Sequence, residues 1–357
     1  MISQLVLEPP ERVLPSAKAP ELSRFIRTTW MLSAKKTLHF SDASQIRYFS
    51  ANEANELAEQ VRKRNVFARH SWENHFYVQR SRELADHTVI EVFRPGDPRA
   101  IADQAEKVAR SIERLTVLSS TLAVDRNQLQ RRLGITEQSR TEINFIADHS
   151  FRFLRSRAKP EPSSQGIDID NRFGNRFIKC GFDRLAEYIQ TRSEIANRLT
   201  LSQEWLFDSR TEPRLSASVV KTAIALESLL IFSESESLAQ TLSERAAFIL
   251  SSSPARRQLI SRIIKRFYDA RSGVVHGSQK KAKKLTPLLV EIVDRLAIML
   301  HLVLAANASM WPSTDSLREW CELERWGEPS TKVKIPFPDL YLRNTVQMSQ
   351  QELDQKL

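Results

Sequence analysis

The chain has 357 residues, 41% apolar and 27% charged, a globular composition that excludes a wholly disordered protein. Its 53 Lys and Arg outnumber 43 Asp and Glu, and the formal charge of +10 fits a polyanionic partner such as nucleic acid. The eight glycines form neither GxGxxG nor GxxxxGK[ST], which argues against a dinucleotide-binding fold or a P-loop, and Cys180 and Cys321 are too few for a disulfide framework or a thiolate zinc site and suit a reducing, cytoplasmic setting.

Residues 1–20 read as an extended, proline-punctuated arm whose apolar run is too short for a secretory signal. Residues 21–200 have a mixed pattern and are expected to form an α+β region with few short strands, a natural sensor or regulatory part. A helix is expected over 52–65. The β-branched HTVIEVF at 87–93 closes on Pro95-Gly96-Asp97 and predicts a strand and turn. Ile101, Ala105, Val108, Ile112, Leu115 and Leu118 make a helical stripe across 99–122. KPEPSSQG at 159–166 is the expected linker, and DIDNRFGNRF at 168–177 reads as turn-rich, with no role assigned.

Helices are then expected over 184–199, over 216–233 with Ser216 or Ser218 as cap, over 238–251, and over 254–275 with Gly277 closing it. Thr286 is the expected cap of a further helix, with Pro287 at its first position, running to about Met310. Its stretch 296–306 is the most apolar of the chain but short for a membrane span, and reads as a buried core helix. Residues 201–312 are thus expected to be a helical domain, and 313–357 an extension with a frayed tail. The fold class expected is mainly α, a C-terminal helical bundle preceded by a small α+β region.

Three ionisable residues lie on apolar stripes. Ile260, Ile264, Phe267, Arg271 and Val274 share one helical face, so Arg271 must meet a carboxylate, a carbonyl, a phosphate or a partner chain. Glu227 lies among Val220, Ile224 and Ile231, and Arg245 between Leu242 and Ile249. Glu227 and Arg245 read as a structural ion pair within a buried polar network, and Arg271 as functional. His276 follows Arg271 by five residues, about 140° around a regular helix, so the two do not converge within one chain. Either Gly273 distorts the helix or a second chain completes the site.

The segments ALESLL around Glu227, SERAAFIL around Arg245 and FYDARSGVVHG ending the fourth helix resemble the HEPN superfamily, especially the HEPN domains of ApeA-like bacterial anti-phage proteins. The last segment contains the family's Arg-x4–6-His motif as Arg271 to His276. The bare pattern also occurs at Arg64/His70, Arg69/His75, Arg80/His87, Arg82/His87 and Arg295/His301. What separates Arg271/His276 is the core stripe, the preceding aromatic turn, the polar Ser272 and the helix-ending glycine. The resemblance covers roughly 202–310.

It implies a metal-independent endoribonuclease acting as a homodimer in antiviral defence or toxin-like RNA cleavage, without a cofactor. His276 is then the general acid/base, and Arg271 holds the scissile phosphate. Ser272, Glu227, Arg245, Tyr268 and Asp269 support the site. Lys280, Lys281, Lys283 and Lys284, just after the motif, are expected either to track an RNA backbone or to be a solvated loop. An activating phage factor or regulatory partner is expected, because an ungated nuclease would be toxic. The alternative is a non-catalytic HEPN module for dimerisation, RNA binding or partner-protein binding.

Other signals are discounted. His70 and His75 in HSWENH do not share a helical face, so no metal site is expected there. His301 reads as a satisfied core histidine, and His149 has no nucleophile elbow nearby. Trp311, Trp320 and Trp326 read as packing residues, and Arg256 and Arg257 as a water-facing helix start.

Overall fold

The computed structural model describes residues 22–29, 32–41, 43–64, 78–79, 81–95, 98–125, 128–130, 144–147, 153–155, 166–191, 193–234, 236–327 and 331–354. The arm at 1–20, most of the linker at 159–166, HSWENH and His149 lie outside them. The chain is mainly helical with a small N-terminal sheet and divides into two compact units, 1–113 with 136–172, and 114–135 with 173–357.

The first unit holds a six-stranded antiparallel sheet. Its strands are β1 (Leu22–Thr29), β3 (Leu38–Ser41), β4 (Ser44–Phe49), β5 (His87–Pro95), β6 (Asn144–Ala147) and β7 (Phe153–Arg155), in the order β3-β4-β5-β1-β6-β7. β2 (Leu32–Ala34) pairs in parallel with β8 (Ile167–Ile169). The expected strand at 87–93 is β5, which lies between β4 and β1 and buries Thr88 to Val92 without a break, the pattern of a strand covered on both faces. Helix α1 (Ala51–Arg64) packs Ala54, Leu57, Ala58 and Val61 with Ile26, Phe49 and Val89. Arg27 donates to Glu113 of helix α2 (Pro98–Ser119) at 2.6 Å, and Thr29 bonds the same carboxylate. The carboxylate of Glu91 is held by Arg24 at 3.0 Å, Arg47 at 2.7 Å and Gln45 at 2.6 Å.

The second unit is a helical bundle. It comprises α3 (Asn171–Lys179), α4 (Phe182–Tyr188), α5 (Glu194–Arg210), α6 (Leu215–Leu230), α7 (Leu238–Leu250), α8 (Pro254–Val275), α9 (Gln279–Ala282), α10 (Pro287–Ala306), α11 (Thr314–Trp326) and α12 (Asp339–Asp354). α10 is its axis: sixteen of its 20 residues are buried, and it packs on α4 to α8 and α12. It starts as expected, with the Thr286 hydroxyl accepting from the Leu289 N–H at 3.1 Å and Pro287 at the first position.

Four expectations are corrected. The turn-rich reading of 168–177 gives way to β8 and α3, because Phe173 and Phe177 stand one turn apart and are both buried. The single helix over 184–199 is two, since the Ser193 hydroxyl accepts from the Ala196 N–H and starts α5 afresh. The boundary at residue 200 falls inside α5, and α3 to α5 belong with the bundle. The tail is helical through Asp354, with α12 packed on α10 and α8. In addition, α6 begins after Arg214 rather than at Ser216 or Ser218, and α10 ends at Ala306 rather than near Met310, because the Asn307 side-chain amide turns back to the Val303 carbonyl.

A buried charge cluster in the bundle involves none of the stripe residues singled out in the sequence. Arg210 at the end of α5 is fully buried and pairs with Glu291 and, at 3.5 Å, with Asp294, both on α10. Its Nη2 also donates to the Val124 carbonyl at 3.2 Å. Thr222 of α6 donates to Asp294 at 2.8 Å, and Arg295 to Glu291 at 2.9 Å. Two arginines thus balance two carboxylates, the condition under which buried charge is tolerated.

Candidate active site

The site stands at the C-terminal end of α8. Pro254 at its first turn and the 22-residue amphipathic pattern build the helix, and its end is set by Gly277. Gly277 has φ of +68°, and the Ser278 N–H donates to the Gly273 carbonyl at 2.9 Å, the six-to-one bond of a Schellman cap. His276 is the C-cap; its backbone N–H donates to the Ser272 carbonyl at 3.0 Å. The imidazole is exposed and makes no hydrogen bond or ion pair to the described residues.

Arg271 is half-buried. Its Nη2 lies 3.8 Å from Oε1 of Glu227 on α6, and its Nε is buried with no hydrogen-bond partner. The Tyr268 hydroxyl stands 3.2 Å from the same Oε1 and 3.2 Å from the Ala223 carbonyl. Burial, reinforced by the Glu227 charge and hydrogen bond, pushes the Tyr268 phenol far up, so it remains a donor. Tyr268 and Arg271 therefore meet one carboxylate from successive turns of α8. At 3.8 Å the guanidinium approaches Glu227 without a hydrogen bond, so its donors can still be presented to an anion.

The expected Glu227–Arg245 pair does not form. Arg245 is buried on α7 beside the loop that leaves α6. It donates to the Leu230 carbonyl at 2.5 Å and to both carboxylate oxygens of Glu236, at 2.9 and 2.8 Å, and it lies 4.3 Å from the Phe232 ring. Arg198 approaches the same ring at 5.0 Å and donates to the Ser228 and Ile231 carbonyls. Two cations thus satisfy the last carbonyls of α6, where the helix dipole favours them. Arg245 thus meets the end of α6, the helix that carries Glu227, and does not contact Glu227 itself.

The remaining expected residues divide. Ser272 is half-buried between Arg271 and the cap. Asp269 turns to the basic loop, where Lys284 pairs with it at 2.9 Å. Lys280 and Lys283 are exposed, and Lys281 belongs to α9. Arg256 and Arg257 are not simply water-facing: they pair with Asp339 and Glu324 of the C-terminal helices. His301 is buried with its Nδ1 2.7 Å from the Ala297 carbonyl. Trp311 and Trp320 pack edge to face at 5.1 Å, whereas Trp326 is 76% exposed.

Sequence reasoning missed Glu236 as the partner of Arg245 and the whole Arg210 cluster. Glu291, Asp294 and Arg295 ahead of the apolar run of α10 were the signal for the latter. Among the described residues no group of three or more His, Cys, Asp or Glu is placed to hold a metal ion, and no helix is long and apolar enough to cross a membrane. No protein-family model matches the chain, and no curated protein or solved structure matches it either.

Proposed function

We propose that the protein is a HEPN-type endoribonuclease that cuts RNA without a metal ion, as a homodimer, in antiviral defence or toxin-like RNA cleavage. One observation carries the reading. At the end of α8 a half-buried Arg271 lies 3.8 Å from Glu227, and an exposed His276, without a partner among the described residues, caps the same helix. The imidazole of His276 takes the proton of a ribose 2′-OH, and the 2′-oxygen attacks the adjacent phosphorus. Arg271 offsets the charge that builds on the phosphate oxygens. The imidazolium then gives its proton to the 5′-oxygen as the bond from that oxygen to phosphorus breaks, leaving a 2′,3′-cyclic phosphate and a 5′-OH. DNA lacks the attacking hydroxyl and is not cut by this route.

Within one chain the two side chains leave α8 about 140° apart, so the chemistry calls for His276 of one copy to face Arg271 of the other across a twofold axis. The exposed Lys280 and Lys283 beside the cap suit the flanking backbone of an RNA strand.

The test is cleavage of total RNA in the presence of EDTA by wild type, His276→Ala and Arg271→Ala. Wild type is expected to leave 2′,3′-cyclic phosphate ends on RNA and to spare DNA. Loss of His276 is expected to slow cutting by about 10²–10⁴-fold. The Arg271–Glu227 pair favours a second reading, a non-catalytic HEPN module, because that carboxylate competes with phosphate for the guanidinium. Wild type and both variants behaving alike, with RNA bound and uncut, would establish the module instead.

A further inference from the structure

A concave region lies on α8, at the end remote from His276. It is an open cleft of about 500 Å³ between α7 and α8, within the size range of small-molecule sites. Ala247 and Phe248 of α7 form its apolar floor. Gln258, Ser261 and Arg262 of α8 form one edge, neighbours at i, i+3 and i+4.

The charges around the cleft do not cancel. Glu244 at its rim is matched by Arg325 at 2.6 Å. Arg257 is matched by Glu324, donates to the Ser251 carbonyl at 2.5 Å and covers the Phe248 ring at 5.0 Å. Arg262 is exposed and has no acidic partner among the described residues. The hydroxyl of Ser261 and the amide of Gln258 are likewise uncommitted. An apolar floor, one surplus cation and two neutral donors along a single edge complement a molecule with an apolar body and an anionic head.

We propose that this cleft binds a small amphipathic anion, its apolar ring or chain resting on Phe248 and Ala247 and its phosphate or carboxylate taken by Arg262, Ser261 and Gln258. The site is separate from the candidate active site. Arg262 and His276 are fourteen residues apart, about 21 Å along a helix axis, so a ligand here does not occupy the nuclease position. The proposal stands whether or not the chain cuts RNA.

The probe is phenyl phosphate, titrated into the full chain and followed by chemical-shift changes and calorimetry. Saturable binding with one site per chain is expected, weakened at least about tenfold in Arg262→Ala and in Phe248→Ala. Lys265→Ala, one turn further along α8 and outside the cleft, should bind as wild type does. Arg262 is exposed, so its variant keeps the fold, and a thermal melt verifies this. Inorganic phosphate and benzyl alcohol, each carrying half of the recognised chemistry, should bind more weakly than phenyl phosphate. The proposal is overturned by absence of saturable binding, by Arg262→Ala binding as wild type does, or by inorganic phosphate binding equally well, which would reduce the cleft to a patch of surface charge.

Discussion

At the residue scale the molecule spends one carboxylate on two partners. Glu227 faces Arg271 at 3.8 Å and Tyr268 at 3.2 Å. A half-exposed ion pair at that distance contributes little to stability, about 0–1 kcal/mol. Glu227→Gln keeps an oxygen for the Tyr268 hydroxyl and removes only the charge. We therefore expect the urea midpoint to move by less than about 1 kcal/mol equivalent, while RNA cleavage changes by more than that loss explains. Tyr268→Phe is the converse. It deletes a buried hydroxyl and should cost about 1 kcal/mol of stability with a smaller effect on cutting. Equal rates for wild type and Glu227→Gln would show that the carboxylate does not position Arg271. The sequence made Arg271 legible because a lone guanidinium broke an apolar stripe. It could not show which of two nearby opposite charges would meet which. Glu227 and Arg245 fit each other by pattern, yet Arg245 turns to the end of α6 because the Leu230 carbonyl and Glu236 are both there. Residues from a loop carry no periodicity, so their pairing leaves no trace in the stripe.

At the element scale, the ends of helices decide what the middle can do. Both ends of α8 and the start of α10 were readable to the residue because each helix carries a proline at its first turn and α8 has a clear stop, whereas α10 ends at Ala306, short of the expected Met310. The split of α4 from α5 was not, because the apolar periodicity continues across it while the Ser193 cap interrupts the backbone. Nor was α3, where Asp, Asn and Gly mimic a turn and only Phe173 and Phe177 betray a buried face. The cap of α8 has the plainest consequence. Gly277 sits at φ of +68° and an added Cβ would meet nothing within 4 Å, so the cost of a side chain there is conformational alone. Gly277→Ala is expected to destabilise the bundle by about 1 kcal/mol, read from denaturant unfolding. It should also slow RNA cleavage, because His276 and the lysine loop depart from that cap. A variant as stable as wild type would show that the helix end relaxes out of the left-handed conformation.

At the scale of the whole molecule, the two units carry buried titratable groups that respond to acid in different ranges. In the bundle, burial pushes His301 down to about 4 from an ordinary 6.5. The unfolded chain therefore takes up a proton below about pH 6.5 that the folded bundle refuses, so this contribution is complete above 6.5 and is lost as pH falls toward 4. In the sheet unit, burial alone would raise Glu91, but the charge of Arg24 and the hydrogen bonds of Arg47 outweigh it and bring it to about 2 from 4.5. Its contribution is present above 4.5 and lost only as pH falls toward 2. Each group changes stability by at most about 1.4 kcal/mol per pH unit within its range. Acid should therefore loosen α10 before β5. Amide exchange, corrected for intrinsic rate, is expected to lose protection in α10 between pH 6.5 and 4 while β5 holds until below 4.5. His301→Met, apolar and of similar volume, should flatten the α10 response and leave that of β5 unchanged. Simultaneous loss of protection in both units at every pH would mean that they unfold as one cooperative body and that neither group sets the order.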